Sequence, residues 1–512
     1  MKRFIRLSII LLLLTGCSTP TVKNADTRAW IPGSSVFGPP KDFIGSPLPD
    51  IGRNGLFPTR VSRIAILSNG DVSFTARIQS LEKADTSIRI QALIFNGDEA
   101  GLAIADLLKR KKLQGLDVRV IVDAFSNPSL QTQRLYFDLK QWGIEVEGYE
   151  AMLLQWINEV PIPKLMPHYD PNRLDKRFHE KMWIIDGETD HGVAITGGLN
   201  VGNEYFRIDP QTPHGYWRDQ DVIVKGGVIK DMVAAFDRNF HYFTDIKKSR
   251  GVLNTNLYWK VTRAVLDKTG HVRFHFNTDP RLVERVKALA RNKLKLDFHP
   301  ARSRFFQSRP RFQEHTIEQA YLQLITAAKR EILIANAYFV PSRAIMDALM
   351  NATRRCVAIS LISNSPETND LPEITMVGRG YYKTLLAVNR EPRVRQCRHR
   401  RAGLHIHEWL GRLRNESTQR EGTMHSKYAV FDRRTSLVGS YNLDPRSARL
   451  NSESALVFES PILARQLADL FEYNDLPRSD PVTLDEAEYF THPDEIIYRL
   501  RKSFGELFEQ QL

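Results

Sequence analysis

One segment of the chain occurs twice, and this duplication constrains the fold more than any other feature. Residues 179–186 read HEKMWIID and residues 425–432 read HSKYAVFD, so both share the spacing HxKxxxxD. Each copy is followed by a glycine turn and an asparagine, at 197–200 and at 439–442. Two such copies are far more specific than a single match to three residue types. We infer that the chain contains two copies of one structural unit.

Helix-like and strand-like segments alternate around both motifs. Apolar periodicity predicts helices at 70–83, 101–112, 313–329 and 343–353, and strands at 87–95, 118–123, 331–339 and 357–363. Strands that alternate with helices favour an α/β fold with a substantial parallel sheet. We therefore predict two pseudo-symmetric repeats at 61–300 and 301–512, each a β-sheet flanked by helices, with the active site at the interface between the halves.

The N-terminus has the features of an export signal. Three basic residues precede a short apolar core, Leu7 to Leu14, which is too short to cross a bilayer as a helix. The core ends in Leu-Thr-Gly-Cys17, which resembles the bacterial lipobox, so residues 1–16 are predicted to be removed and Cys17 to be acylated. The alternative is an ordinary signal peptide with an incidental cysteine. Residues 17–60 are rich in proline and glycine, which is typical of an extended tether.

Composition restricts the partners and the compartment. The net charge of +13 favours an anionic partner such as a phospholipid surface, a phosphodiester or a nucleic acid, without choosing among them. Beyond the N-terminus no apolar run could span a bilayer, which excludes a polytopic membrane protein. With three cysteines the chain cannot build a disulfide framework. Cys356 and Cys397 either pair in an oxidising periplasm or remain thiols.

The doubled motif resembles the signature of the phospholipase D superfamily over most of residues 61–480. The lipobox, the segment Trp217-Arg218-Asp219 and the overall length are similar to the cardiolipin-synthase branch, in particular to its lipoprotein-type C members. The resemblance implies a phosphatidyltransferase that forms cardiolipin from two phospholipids through a phosphohistidine, without a cofactor. One departure is that Gly198 stands where the pattern has a serine, so the first copy lacks a hydroxyl donor.

Both motifs carry the groups that phosphodiester chemistry needs. Side chains alternate along a strand, so His179 and Lys181 should share one face, as should His425 and Lys427. If the halves pack about a pseudo-twofold axis, these four side chains meet in one pocket. Two ammonium groups would neutralise the phosphate, so no metal is expected. The superfamily more often uses the N-terminal histidine as nucleophile, so we assign attack to His179 and acid–base catalysis to His425.

The resemblance also implies supporting residues. An acid later in each repeat orients a histidine, which matches Asp219 and Glu453 here. Asp186 and Asp432, the aspartates of the motif itself, remain catalytic candidates although the superfamily uses them mainly in structural roles. A degenerate repeat kept only for packing is the alternative interpretation of the whole set. Hydrogen bonds to the phosphoryl oxygens are expected from Asn200, Ser440 and Asn442.

The expected partners are phospholipids, namely phosphatidylglycerol with phosphatidylethanolamine as a second candidate, and a membrane surface reached through the acyl chains on Cys17. Nucleic acid is not expected. Water as acceptor would make the protein a phospholipase D instead, a periplasmic nuclease could use the same core, and an inactive scaffold is a third alternative. We expect the chain to face the periplasm of a bacterial envelope. Ser18 after the lipidated cysteine favours the outer membrane over the inner one.

Overall fold

The structure is a computed structural model in which residues 57–123, 126–148, 177–209, 215–250, 273–397, 402–417 and 421–491 are described. The predicted signal peptide, the lipidation site and nearly all of the predicted tether at 17–60 lie outside these residues. In the described part of the chain, no helix combines the length and the apolar character that crossing a membrane requires.

The first half alternates strands and helices in the predicted order. Its strands are β1 (Arg60–Leu67), β2 (Ser87–Ala92), β3 (Asp117–Val122), β4 (Glu145–Glu147), β5 (Met182–Ile185), β6 (Val193–Gly197), β7 (Tyr216–Arg218) and β8 (Asp221–Gly226). Its helices are α1 (Gly70–Lys83), α2 (Glu99–Leu113), α3 (Leu130–Gln141), α4 (Val228–Arg250) and α5 (Pro280–Arg291).

The second half repeats this order. Its strands are β9 (His299–Ser308), β10 (Glu331–Asn336), β11 (Ala358–Asn364), β12 (Gly403–Trp409), β13 (Glu421–Met424), β14 (Lys427–Phe431), β15 (Thr435–Gly439), β16 (Glu453–Glu459) and β17 (Ser479–Pro481). Its α-helices are α6 (Thr316–Ala327), α7 (Arg343–Arg354), α8 (Pro372–Ala387), α9 (Pro392–Arg395), α10 (Pro445–Arg449), α11 (Pro461–Asp469) and α12 (Leu484–Tyr489).

Equivalent helices begin with equivalent side-chain caps. Asp98 precedes α2 and accepts a hydrogen bond from the amide of Gly101, while Ser342 precedes α7 and accepts one from the amide of Ile345. Such caps satisfy amides that have no partner within the first turn of the helix. Both helices therefore start directly after a capping residue in the sequence.

Fifteen strands form one sheet whose order shows the duplication. The order is β17-β12-β11-β10-β14-β15-β16-β9-β1-β8-β6-β5-β2-β3-β4, so β1 and β9 pair at the centre and equivalent strands follow outward on both sides. Pairs β2–β3, β3–β4, β10–β11 and β11–β12 are parallel, whereas the pairs that join them across the centre are antiparallel. The α/β fold of two pseudo-symmetric repeats is confirmed, with a sheet that is mixed instead of mainly parallel. The boundary between residues 300 and 301 stays a prediction.

Three hydrophobic cores hold the helices to the sheet. One face carries a separate core for each half, around α1 to α3 in the first and around α6 to α8 in the second. The other face carries a single core that joins α4 to α11 and includes residues from both halves, such as Ile64, Met182 and Tyr428. Burial of apolar area is the main driving force of such packing, so this shared core fixes the halves against each other.

The backbone also crosses between the halves directly before each motif. Phe178 forms a parallel bridge with Ser452, and β13 runs parallel to β7, with Met424 opposite Arg218. The amide of His179 donates to the carbonyl of Ser452, and that of His425 to the carbonyl of Arg218, each over 2.8 Å. The prediction that each motif is a strand from its histidine onward is therefore wrong at its start: β5 begins at Met182 and β14 at Lys427.

Cys356 and Cys397 form a disulfide in the second half, with their Cα atoms 5.5 Å apart. Cys356 follows α7, and Cys397 follows the short helix α9. The structure thus favours the paired alternative over two separate thiols.

Candidate active site

Each motif histidine contacts a carboxylate of the opposite half. His179 Nδ1 lies 2.8 Å from both carboxylate oxygens of Glu453, which opens β16. Because the amide of His179 is bonded to the residue directly before Glu453, the backbone crossing brings the two side chains together. An acceptor on Nδ1 leaves Nε2 as the free nitrogen of the ring.

The second pair is built in the same way. His425 Nδ1 lies 2.9 Å from Asp219 Oδ2, and the amide of His425 is bonded to Arg218, which precedes Asp219. All four side chains are buried. The structure therefore brings Asp219 and Glu453 to the histidines as the resemblance implies, and each acid serves the histidine of the other repeat.

The two motif lysines are buried and close enough to both histidines to interact with them electrostatically. Lys181 Nζ donates to the carbonyl of His179 over 2.7 Å, and Lys427 Nζ donates to the carbonyl of His425. Burial lowers the pKa of Lys181 to about 7 and that of Lys427 to about 8, and Lys427 adds to the decrease at Lys181. Bringing an anion into this site would favour the charged ammonium forms, because an opposite charge stabilises them.

The surroundings of both histidines favour the neutral imidazole. Burial lowers the pKa of His179 to about 4, although Glu453 opposes the decrease. Burial also lowers the pKa of His425 well below its ordinary value, and Lys427, Lys181 and His179 add to that effect. A neutral imidazole is the form that can attack phosphorus, so the site is prepared for a nucleophilic step.

The two carboxylates differ in their surroundings. Burial opposes ionisation of Glu453, but His179, Lys181 and the Ser440 hydroxyl together hold its pKa below the ordinary value. Burial raises the pKa of Asp219 to about 8, with Lys427 opposing the increase and Asp221 adding to it. Glu453 is thus ionised, whereas Asp219 retains a proton more readily.

Ser440 contacts the carboxylate of the opposite repeat's histidine. Its hydroxyl donates to Glu453 Oε2 over 2.5 Å, and the Ser447 hydroxyl donates to Oε1 over 2.8 Å. A proton committed to Glu453 is unavailable to a phosphoryl oxygen, so the contact made by Ser440 supports the carboxylate. Asn442 is buried and its Oδ1 has no partner, while Asn200 accepts from the amide of Ile94. Phosphate binding by these three residues stays a prediction.

Gly198, where the pattern has a serine, has a steric role. A Cβ at this position would lie 2.8 Å from Asp219 Cγ and closer still to both carboxylate oxygens. The Asp219 side chain is one methylene shorter than that of Glu453, so its carboxylate lies close to the backbone. The glycine is therefore needed to admit the carboxylate that contacts His425.

Asp186 and Asp432 lie at the opposite ends of β5 and β14 from the lysines. Asp186 accepts hydrogen bonds from the amides of residues 85–87 at the start of β2. Asp432 accepts from the amides of residues 329–331 at the start of β10. The structure does not bring either aspartate to the histidines, and their contacts are those of structural residues.

Several residues around the site were not predicted from the sequence. Tyr205 and Trp217 lie against His425, with ring centroids 5.6 and 5.1 Å from that of its imidazole. Arg218 is buried and donates to Asp475, which also accepts from the Tyr428 hydroxyl. The position of Arg218 directly before Asp219 is the only sequence signal that could have indicated this support.

Glu180 is a buried acid between the two motif residues His179 and Lys181. It accepts from the side-chain amides of Gln91, Asn239 and Gln307. Burial raises its pKa, which these hydrogen bonds oppose. The equivalent residue in the second copy is Ser426, so the pattern HxK gives no indication of this cluster.

The described residues contain one group whose spacing could suit a metal ion: Asp85, Asp186 and His191, with ligand atoms within 4.8 Å of one another. The oxygens of Asp186 already accept several amide hydrogen bonds, and Asp85 and His191 are exposed. This group lies at the far end of β5 from the histidines, so it has no part in their chemistry.

Comparison with known proteins identifies the class. The family model described as "Cardiolipin synthase, PLD-like domain" matches residues 78–214 and 321–474, one region in each half. The chain belongs to this family. The resemblance to the phospholipase D superfamily and to its cardiolipin-synthase branch is thereby confirmed, as is the expectation of an enzyme of this type.

Among curated proteins, the chain is 26% identical to a cardiolipin synthase of Geobacillus thermodenitrificans over 82% of this chain and 67% of that protein. It is also 26% identical to the probable cardiolipin synthase YwiE of Bacillus subtilis, over 87% of this chain and 72% of that protein. The chain thus spans about two thirds of the length of these relatives.

Among solved structures, phosphatidylserine synthase of Haemophilus influenzae matches with a TM-score of 0.58 and 17% identity, over 88% of this chain and 98% of that chain. At this identity the match supports the fold alone. It agrees with the two-repeat architecture described above.

Proposed function

We propose that the protein is a phosphatidyltransferase that forms cardiolipin from two phospholipids through a phosphohistidine intermediate. The observation that supports the proposal is the exchange of partners between halves: each buried histidine contacts a carboxylate of the opposite half, and both buried lysines interact with both carboxylates. The cardiolipin synthases among its relatives support the choice of substrate class.

The reaction would proceed in two displacements. His179 Nε2 attacks phosphorus of the donor lipid, a nitrogen–phosphorus bond forms, and the bond from phosphorus to the headgroup alcohol breaks. His425 gives its proton to the leaving oxygen. A primary hydroxyl of a second lipid headgroup then attacks phosphorus and returns a proton to His425, and the bond to His179 breaks. Lys181 and Lys427 stabilise the charge on the phosphoryl oxygens in both steps.

The assignment of roles follows from the two carboxylates. The ionised Glu453 accepts the Nδ1 proton of His179, which leaves Nε2 with a lone pair and stabilises the cationic phosphoimidazolium. The proton that Asp219 retains more readily can be shared with His425, which keeps a proton available for the leaving group. Pairs of groups with pKa values moved apart often divide acid and base roles in this way.

Offering three substrates to the purified full-length protein tests the proposal. Mixed micelles of phosphatidylglycerol alone should yield cardiolipin and glycerol, a mixture with phosphatidylethanolamine should show which lipid donates, and duplex DNA should remain intact. Mass spectrometry of the products provides the measurement. Phosphatidic acid as the sole product would indicate hydrolysis, and cleavage of DNA alone would contradict the proposal. Activity should survive EDTA, and loss that zinc or magnesium restores would contradict the metal-free mechanism.

We further propose that Cys17 is acylated and holds the enzyme at the periplasmic side of the envelope, with the outer membrane favoured. The disulfide between Cys356 and Cys397 supports an oxidising compartment, because such bonds are rare in the cytosol. Cys17→Ser should abolish labelling by palmitate, whereas Cys356→Ser should leave it unchanged. Equal labelling of Cys17→Ser and wild type would contradict this assignment.

A further inference from the structure

A surface groove of about 560 Å³ lies between α7, α8 and α10 of the second half. Its apolar lining includes Met346 and Met350 on α7, Tyr381 on α8, Pro445 on α10, and Pro341 before α7. The Ser342 hydroxyl beside it donates to Glu318, so that group is already used within the protein. The groove is thus large enough for a ligand and suited to an apolar one.

Two arginines lie at this groove. Arg343 is 87% exposed and pairs with Asp347 on its own helix. Arg449 also lines the groove, and among the described residues its guanidinium has no ion-pair partner. A positive rim around an apolar lining is complementary to an amphiphile with a negatively charged head.

One glycine keeps the groove open. Gly380 lies inside α8, where glycine is less favourable than any residue except proline. A Cβ at Gly380 would meet nothing within 4 Å, whereas one at Gly378 would lie 2.4 Å from the carbonyl oxygen of Phe339. Packing within the protein therefore explains Gly378 but not Gly380. At Gly380 the groove therefore has room for a side chain.

Elements that line the groove also contact residues of the active site. On one side, α10 contributes Pro445 to the groove and Ser447 to the hydrogen bond with Glu453. On the other side, Tyr338 and Tyr381 pack on the same buried cluster around Val340. The ring centroid of Tyr338 lies 5.9 Å from Lys427 Nζ. The cluster that lies beneath one wall of the groove therefore also lies beside one of the lysines expected to hold the phosphate.

The equivalent surface of the first half is covered. There the Gln131 side chain of α3 donates to the carbonyls of Gly97 and Asn277, and Glu99 on α2 accepts from the amide of Asp279. Helix α5, which follows, packs on α1 and α2. Within the described part of the chain, the duplicated fold thus keeps this space open in the second half and closes it in the first.

We propose that this groove binds an acyl chain of the phospholipid whose phosphate occupies the active site, with Arg343 and Arg449 facing the anionic headgroup layer. The inference rests on the proposed function and adds to it a site for the lipid tail. It predicts that the enzyme distinguishes substrates by acyl-chain length, through contacts remote from the reacting atoms.

Filling the groove tests the proposal. Gly380→Trp places a large side chain in the space, and Gly380→Ala is the matched control that makes the same gain in helix propensity with a single methyl group. For dioleoyl phosphatidylglycerol in mixed micelles, kcat/KM of the tryptophan variant should fall at least tenfold. For water-soluble dibutyroyl phosphatidylglycerol it should stay within twofold of wild type. The alanine variant should stay within twofold on both, and neither variant should unfold at a lower temperature than wild type.

Two outcomes would contradict acyl-chain binding in the groove. Equal activity of both variants on the long-chain lipid would show that the space is unused. An equal decrease of the tryptophan variant on both lipids would show that the substitution acts on the catalytic groups or on packing, as it would if another part of this chain filled the groove.

Binding separates this inference from the proposed function. In a His179→Ala background, affinity for phosphatidylglycerols of increasing chain length should rise about fourfold per methylene until the groove is filled. Gly380→Trp should remove that dependence, and Gly380→Ala should keep it. If the protein binds lipids with this dependence on chain length but converts no phospholipid, the proposed function is wrong and acyl-chain binding in the groove is supported. If it converts phospholipids and its affinity does not depend on chain length, acyl-chain binding in the groove is wrong and the proposed function is supported.

Discussion

The two halves surround the carboxylates that contact the motif histidines in different ways. In the second half, Glu453 accepts hydrogen bonds from the hydroxyls of Ser440 and Ser447. In the first half, Asp219 accepts from the amide of Gln220, and the position equivalent to Ser440 is Gly198, where no Cβ fits beside the carboxylate. One acid is long and surrounded by hydroxyl donors, and the other is short and lies close to the backbone.

This difference shows how a duplicated site can divide two roles between equivalent residues. The donors around Glu453 stabilise its negative charge and hold its pKa low, whereas burial of Asp219 with fewer donors raises its pKa to about 8. The histidine opposite Glu453 therefore has a fixed acceptor, and the histidine opposite Asp219 shares a proton. In the proposed mechanism, this difference suits one imidazole to attack and the other to donate.

The largest effects are expected from the two histidines themselves. His179→Ala should abolish both the covalent phosphoenzyme and turnover, because it removes the nucleophile. His425→Ala should slow donors with ordinary alcohol headgroups by about 10²–10⁴-fold, and donors with an activated phenolate far less. Rapid quenching with radiolabelled phosphate locates the covalent bond. Label on the His179→Ala variant but not on His425→Ala would reverse the roles, and half of wild-type turnover in each variant would contradict a shared pocket.

The next effect compares the two acids. Glu453→Gln replaces an ionised acceptor by an amide that faces two hydroxyl donors, so we expect kcat to fall by about 10²–10⁴-fold. Asp219→Asn removes a group that is more readily protonated, so the loss should be at least tenfold smaller. Measuring kcat for both variants at pH 7 checks the comparison. Equal losses would show that both acids work in the same ionisation state.

Much of this arrangement could be predicted from the sequence, because it depends on local patterns. The positions of α1, α7 and the strands around them follow from periodicity and caps, and the doubled HxK motif is sufficient to indicate the phosphodiester chemistry. The two histidines and two lysines are therefore identifiable from their spacing alone. The strands that carry them start later than predicted, since the backbone at each histidine bonds to the other half.

The exchange of partners could not be predicted from the sequence. His179 and Glu453 are 274 residues apart, and their contact depends on how the halves pack. The pattern alone indicates a missing donor at Gly198, whereas the structure shows a steric requirement that only the position of Asp219 reveals. The contact of Ser440 with Glu453 is hidden for the same reason, because a motif states which residues are present but not which neighbour each one contacts.

An effect of intermediate size is expected from the lowered pKa values of the two lysines. Their pKa values are lowered to about 7 for Lys181 and about 8 for Lys427, so the ammonium groups of the free enzyme are lost as pH rises through this range. We expect kcat/KM to fall up to tenfold per pH unit between the two values and up to a hundredfold per unit above both, while kcat keeps its plateau to higher pH because bound phosphate favours the charged forms. Lys181→Arg retains its charge at every pH and should lose the part of this decrease that comes from Lys181. A flat kcat/KM up to pH 9 in wild type would contradict the lowered values.

The smallest effect concerns the hydroxyl that distinguishes the halves. Ser440→Ala removes one donor from Glu453 and leaves Ser447 and His179 in place, so kcat/KM at pH 7 should fall only a few-fold. Because the lost hydrogen bond had lowered the pKa of Glu453, that pKa should rise, and the acidic limb of kcat/KM should move to higher pH.

The same substitution should change the stability. Because the pKa of Glu453 is lower in the folded protein than in the unfolded chain, its ionised form stabilises the fold above the unfolded pKa, and this stabilisation is lost as pH falls through the folded pKa. The variant should therefore lose about 1.5–3 kcal/mol at neutral pH and less in acid, as measured by urea unfolding at pH 7 and pH 4. Ser436→Ala is the control: it removes another buried hydroxyl of the same half, one without a hydrogen-bond partner among the described residues, and should leave the pH profile unchanged. An acidic limb that moves to lower pH in Ser440→Ala would show that the hydroxyl does not stabilise the ionised form of Glu453.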